Sequence, residues 1–451
     1  MAFQHDCYAF FQARPVVLDS RTFGRLIGGM VGRLYLSIPI VCLVTQTLSA
    51  QQAITWAEIR DKFERANPTL QAARIGIDES RAQEITAFLR PNPDFTLSVD
   101  QIDPFSSQPL PNGGGNAYSP FAYAFPTVSA SYLHERQHKR ELRRESAQKA
   151  TVVAESQLED QRRTLLFTLR SAFVQVLQQK ADLALARDNL TYYDQTLKVS
   201  RDRKAAGDIA QVDLDRLELQ RVQYESDLQN ALVNLRTAKI QLLALLNERT
   251  PLEQFDVDGP YDFPEKVAPL EEYRMTALET RPDLKAAMQS VDKARTDYQL
   301  AVANGSTDPT FGVDLARNPP IPAYFGVNVT IPLRIFDRNQ GEKARTRLDI
   351  TRNERLQDAT QAQIYNDVDS AYATVNSNIT LLRSYKASYL AQAVRVRETI
   401  SFSYQRGGAS LLDFLQAQQD YRNIQLSYLN LIGSYLTAAA QLNMAVGREV
   451  L

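Results

Sequence analysis

The sequence predicts a mainly α-helical protein with a small β part, built as two tandem repeats. Three observations carry this. Two stretches of more than a hundred residues lack proline, 127–250 and 333–451. Each is interrupted by glycine at a single place, Gly207 in the first and Gly407-Gly408 in the second, with only Gly341, Gly433 and Gly447 elsewhere. Ahead of each lies a segment rich in Pro and Gly whose apolar residues alternate with polar ones.

The first fifty residues read as a secretory signal. Leu34–Leu48 is apolar and almost uncharged, Arg33 precedes it, and Ser49 and Ala50 follow. That is the order of a signal peptide, assigned here to 1–50. Met30 would begin a signal of more usual length. The run is short for a spanning helix.

Composition then narrows the classes. Of 451 residues, 51 are Lys or Arg and 52 are Asp or Glu, a formal net charge of −1. A nucleic-acid-binding protein would carry a concentrated basic face. Both cysteines, Cys7 and Cys42, fall inside the signal, so no disulfide framework or Cys-based metal site is expected downstream. With three histidines, no phosphate loop, no dinucleotide fingerprint and no Ser/His/Asp order, no catalytic apparatus and no cofactor are expected. His134 and His138 have metal-ligand spacing, but lacking a third ligand they read as a surface pair, beside the basic run Arg136, Lys139, Arg140, Arg143 and Arg144. That run suits a solvated helix face or contact with anionic headgroups.

Each repeat runs helix, two strands, long helix, glycine turn, long helix. The first covers 51–247, with strands near 93–102 and 121–133 and long helices at 135–206 and 209–247. A Pro- and acid-rich connector fills 248–266. The second covers 267–451, with strands near 309–317 and 323–333 and helices at 339–406 and 409–446. Residues 67–82 align with 281–296, matching Pro68/Pro282, Leu70/Leu284, Ala72/Ala286 and Asp78/Asp292. The long helices keep a three-four apolar spacing, as at Phe414, Ala417, Tyr421, Ile424, Tyr428, Leu431, Tyr435, Ala438, Leu442 and Ala445. Such spacing is a coiled-coil seam. Helices of about 70 residues reach roughly 100 Å.

In the strands Phe95, Leu97, Val99, Phe311, Val313, Leu315, Phe325, Val327 and Val329 alternate with small or polar residues. Alternation alone fits a soluble two-sided sheet as well as a membrane barrel; the secretory signal favours the barrel. Four strands cannot close a barrel, which needs about eight, and open edges are not tolerated in lipid. Strands from several copies must therefore be pooled.

The repeat pair, Arg281–Leu284 (RPDL), the Ile331-Pro332-Leu333…Phe336–Gly341 segment and the Tyr404…Gly407…Ser410–Asp413 turn together resemble the TolC family, the outer membrane channels of tripartite efflux and type I secretion systems. The resemblance covers about 54–447 and lies nearest the metal-cation and drug efflux branches. It implies a homotrimer, a shared outer membrane β-barrel with four strands per chain, and a long α-helical coiled-coil barrel crossing the periplasm. It also implies a periplasmic adaptor and an inner membrane pump as partners. The protein would then be a passive exit duct, not an enzyme. Type I protein secretion and a periplasmic coiled-coil adaptor are the alternatives.

The resemblance places the aperture at the two turns. Asp213, Asp413 and Tyr404 match its gate, with Arg406 as the nearest cation, because Ala409 stands where the family has an arginine. The adaptor would dock at Gly207, Asp208, Gly407, Gly408 and Ser410. The plainer reading of Asp213 and Asp413 is acids that complement a helix N-terminus.

Overall fold

A computed structural model describes residues 53–264, 267–318 and 321–451. The signal assigned to 1–50, with Met30 and both cysteines, lies outside them. The first repeat contains α1 (Trp56–Ala66), α2 (Pro68–Phe88), β1 (Asp94–Asp100), a short hairpin of β2 (Ser107–Pro109) and β3 (Asn116–Tyr118), then β4 (Phe125–Leu133), α3 (Lys139–Ala206) and α4 (Gln211–Leu245). The second contains α5 (Leu270–Thr280), α6 (Pro282–Asn304), β5 (Thr310–Asn318), β6 (Ile321–Thr330), α7 (Gln340–Ser384), α8 (Leu390–Gln405) and α9 (Leu411–Val446).

Five local features differ from the expected elements. The opening helix of each repeat is two helices, because Pro68 and Pro282 force the residues before them, Asn67 and Arg281, into extended backbone. A π-helical turn at Tyr385–Tyr389 separates α7 from α8; neither proline nor glycine marks it. β6 stops at Thr330, since Pro332 has no N–H for the ladder. β4 starts only at Phe125, after turns closed by Ala122 N–H to Ser119 O and Ala124 N–H to Phe121 O. The loop expected over 102–119 carries the β2–β3 hairpin.

The principal sheet is antiparallel in the order β1-β4-β5-β6. Its register puts Phe95 opposite Ala130 and Ala130 opposite Val313, which faces Val327. Leu97, Val128, Leu315 and Phe325 form the next row. One face is thus apolar across all four strands, and it is exposed: Phe95, Leu97, Phe325 and Val327 are each more than 65% accessible. The other face carries Thr96, Ser129, Asp314 and Gly326 in one row. Asp314 lies over Gly326, where a Cβ would stand 2.2 Å from its Oδ2, and accepts a hydrogen bond from Asn328. β1 and β6 each have a free edge.

The helices pack into three cores. One gathers Ile59, Phe63, Leu169, Phe173, Leu242 and Phe255 in the first repeat; another gathers Tyr273, Ile364, Val368, Val375, Tyr435 and Leu442 in the second. Each buried side chain of this size contributes about 1.5–3 kcal/mol. The connector is not a free tether. Phe255 and Val257 are buried, Ile54 bridges to Val257, and Asp256 pairs with Lys180 at 2.8 Å and Lys239 at 3.1 Å.

The RPDL segment closes the second repeat. Buried Arg281 reaches Asp283 at 2.5 Å and Asp367 on α7 at 2.9 Å, and donates to the Ala445 carbonyl at the end of α9. Burial is the largest single influence on Asp283 and opposes its charge, but the hydrogen bond and charge of Arg281, the nearby Arg163 and the Leu284 N–H together outweigh it and hold the carboxyl below its usual range. The equivalent residue in the first repeat, Asn67, does less: its Oδ1 accepts the Leu70 N–H as a helix cap.

Candidate functional site

The two glycine turns are built alike. Gly207 (φ +86°) and Gly407 (φ +75°) adopt the left-handed conformation that favours glycine. Asp208 N–H then bonds Arg203 O at 2.9 Å, and Gly408 N–H bonds Ser403 O at 2.8 Å. Both are the five-residue return of a glycine-closed helix end.

Beyond the turns the repeats diverge. Ser410 caps α9: its Oγ accepts the Asp413 N–H at 3.2 Å, while Asp413 Oδ2 accepts the Ser410 N–H at 3.2 Å and hydroxyl at 2.7 Å. These bonds hold the Asp413 carboxyl below its usual range. Asp413 therefore performs the capping role that an acid at this position can serve. In α4 the cap position is Ala210, which offers no side chain. Asp213 has no side-chain hydrogen bond or salt bridge among the described residues and is half-exposed. The two acids occupy equivalent positions, and only Asp213 is left available.

Tyr404 is buried in a third core with Tyr193, Leu197, Leu214, Leu217, Tyr224 and Phe414. Its ring stacks on Phe414 with centroids 4.9 Å apart, as Tyr193 does on Tyr224 at 4.5 Å. Its hydroxyl is buried and makes no hydrogen bond among the described residues. The expected reach to Asp213 is therefore absent as a hydrogen bond. Burial raises the phenol's pKa, and the Asp213 charge adds to that while the Arg203 charge opposes it.

Arg406 forms no salt bridge with Asp213 or Asp413 among the described residues. Its guanidinium lies over the Phe402 ring at 4.2 Å and forms no ion pair among the described residues. The cation that meets Tyr404 is Arg203, which donates to its carbonyl at 2.8 Å and sits 5.6 Å from its ring. The sequence marks Arg203 only as one of three cations in the last turns of α3. Its partner is 201 positions away, so no local pattern could identify it. Further up the helices, Arg422 joins the repeats through Asp227 at 2.7 Å, and Arg397 lies between the Tyr192 and Tyr421 rings at 4.4 and 3.8 Å.

At the opposite end of the long helices, His134 packs edge-on against Phe311 and His138 takes a left-handed conformation beside the start of α3. No cluster of three or more metal-ligating side chains occurs among the described residues. None of the described helices is long and apolar enough to cross a membrane.

The sequence profile of the family "Outer membrane efflux protein" matches residues 274–448. The cobalt-zinc-cadmium resistance protein CzcC of Cupriavidus metallidurans is 25% identical over 69% of this chain and 74% of its own. The pyoverdine export outer membrane protein OpmQ of Pseudomonas aeruginosa is 26% identical over 63% of this chain and 61% of its own. Among solved structures, CusC superposes with a TM-score of 0.71 at 16% identity, over 86% of this chain and 91% of that one. VceC of Vibrio cholerae gives 0.70 at 15%, over 88% and 96%.

Proposed function

We infer that this chain is a member of the outer membrane efflux protein family and serves as the passive exit duct of a tripartite efflux system. The single observation that carries the reading is the four-stranded sheet. It exposes a continuous apolar face, keeps a polar face, and has two unpaired edges. Water tolerates neither such a face nor such edges; a closed barrel in lipid needs both. Copies of the chain joining β1 to β6 close it. The helices carry a matching signal. Val212, Leu219, Val233 and Ile240 on α4 are exposed, and they lie at multiples of seven, with Ser226 in the gap, forming a seam without a partner among the described residues.

The reading places the strands in the outer membrane and the glycine turns at the periplasmic end. One Asp213 from each of three copies would ring the aperture, concentrating negative potential and favouring cations. Tyr404, packed on Phe414, holds the tip of the second hairpin closed, and Asp413 and Arg406 flank it. The surfaces at Gly207, Asp208, Gly407, Gly408 and Ser410 are offered to a periplasmic adaptor fed by an inner membrane pump. The likeness to CzcC supports divalent metal cations as the cargo class.

Electron microscopy of the detergent-extracted protein tests this. Three-fold particles with a tubular end about 100 Å long are expected. A monomer or dimer without a tube would overturn the channel and return a periplasmic coiled-coil adaptor to first place. Loss of cobalt, zinc and cadmium tolerance on gene deletion tests the cargo separately.

A further inference from the structure

We propose that the strand–helix junction is a docking collar for the anionic headgroups of phospholipids in the periplasmic leaflet. The proposal rests on the outer membrane reading above, which fixes that leaflet at the helical end of the strands.

The junction is organised around Asp308. Its Oδ1 accepts the Arg136 N–H at 2.9 Å, and its Oδ2 holds buried Lys139 at 2.5 Å. Lys139 also donates to the Ser306 carbonyl at 2.9 Å. On the other side of the same segment, the Gly305 Cα faces the Arg338 carbonyl, which would lie 2.9 Å from an added Cβ, and Asn339 Nδ2 reaches Ala301 O at 2.8 Å. The start of α3 and the chain leaving β6 thus meet at one level.

At that level the carboxylates are already committed. Asp308 is neutralised by Lys139, Glu135 is bound by Arg143, Glu141 pairs with Arg140 at 2.9 Å and Glu342 pairs with Arg345 at 2.5 Å. Asp337 accepts the Asn339 N–H. Arg136, Arg144, Arg334 and Arg338 are among the guanidinium groups that have no salt bridge among the described residues. Arg144 is steadied by stacking on Phe88 at 4.7 Å. Asp308 also feels the Arg334 charge, and Asp337 is the one carboxylate here without a salt bridge among the described residues, so the collar is left with an excess of positive charge.

Apolar side chains stand among these cations. Leu333 is 79% exposed and Phe336 is 91% exposed, on either side of Arg334 and just before Arg338. They continue the apolar strand face through Val329 and Ile331. A side chain pair that enters acyl chains beside guanidinium groups held at headgroup depth is the arrangement a bilayer surface selects. The phosphate of a headgroup accepts two parallel N–H bonds from an arginine, which favours arginine over lysine here. Charge complementarity and continuity with the strand face together specify an anionic phospholipid rather than a protein partner.

The test uses the full assembled protein in nanodiscs of equal parts phosphatidylethanolamine and phosphatidylglycerol. Lipids that remain bound on release are counted by native mass spectrometry. Wild type is expected to retain phosphatidylglycerol preferentially, with the preference lost at high salt. Arg136→Gln, Arg144→Gln and Arg338→Gln are each expected to lower the enrichment about fivefold. Should any of them fail to assemble, the salt dependence of wild type decides alone. Equal retention of both lipids by wild type, or enrichment that survives the substitutions and salt, overturns the collar. Failure of wild type to enter nanodiscs of either lipid overturns the membrane reading, and the collar with it.

Discussion

Arg203 donates from its guanidinium to the main-chain carbonyl of Tyr404 at 2.8 Å, so the last turn of α3 holds the last turn of α8. This bond joins the tips of the two repeats, while the Tyr404–Phe414 stack holds α8 to α9 within the second. A hydrogen bond from a charged donor contributes about 1.5–3 kcal/mol. Arg203→Ala should therefore raise single-channel conductance in planar bilayers while leaving trimer yield unchanged. Unaltered conductance would remove Arg203 from the closed tip.

Arg281 offers the largest stability effect. Arg281→Ala leaves Asp283 and Asp367 facing each other without their shared cation and strips the Ala445 carbonyl of its donor. Breaking a buried pair in this way costs about 3–5 kcal/mol. Calorimetry should show a clear drop in Tm, whereas Asn67→Ala, which removes only a helix cap, should cost about 1 kcal/mol. Equal effects of the two substitutions would contradict the asymmetry between the repeats.

Asp182 on α3 gives a pH signature. Burial pushes its pKa up to about 6, and its Oδ1 has no hydrogen-bond partner. Its folded-state pKa therefore lies above the value near 3.8 of an exposed carboxyl. Between those values the folded chain binds the proton more tightly than the unfolded one. The penalty of burying the charge is absent at low pH, grows between about 3.8 and about 6, and is fully present above that. Asp182→Asn should raise the Tm at pH 7.5 and leave it nearly unchanged at pH 4. A uniform shift at both pH values would assign the effect to packing alone.

The two sheet faces should respond oppositely to charge. Val327→Lys places an ammonium on the apolar face, at about 2–4 kcal/mol in the middle of a bilayer. Ser129→Lys places it on the polar face. Heat-modifiable trimer on gels should fall for the first and persist for the second. Tolerance of both would mean that lipid does not cover the Val327 face.

Much of this architecture was legible because it depends on spacing. Residues that repeat every three or four positions, such as Phe414, Ala417, Tyr435 and Leu442, are buried as their period requires. Alternation in the strands likewise sorts Val313 from Asp314, and Gly207 and Gly407 mark the reversals. What could not be read depends on partners far apart in the chain. Arg203 with Tyr404, Lys139 with Asp308, and Arg281 with Asp367 have no local signature. The same holds for Asp213 and Asp413, whose equal sequence positions conceal different surroundings: Ser410 engages one, and Ala210 leaves the other free. The π turn at Tyr385–Tyr389 arises within a stretch of ordinary helix formers, with nothing to distinguish it beforehand.

The free edges of β1 and β6 have a genetic consequence. In a three-copy closed barrel every subunit is both the left and the right neighbour of another, so one subunit with a damaged edge leaves the ring unsealed. A cell making normal and edge-defective chains in equal amounts would retain about one intact ring in eight. Lesions in these two strands should thus behave as dominant alleles, while lesions that merely prevent the chain from folding should be recessive.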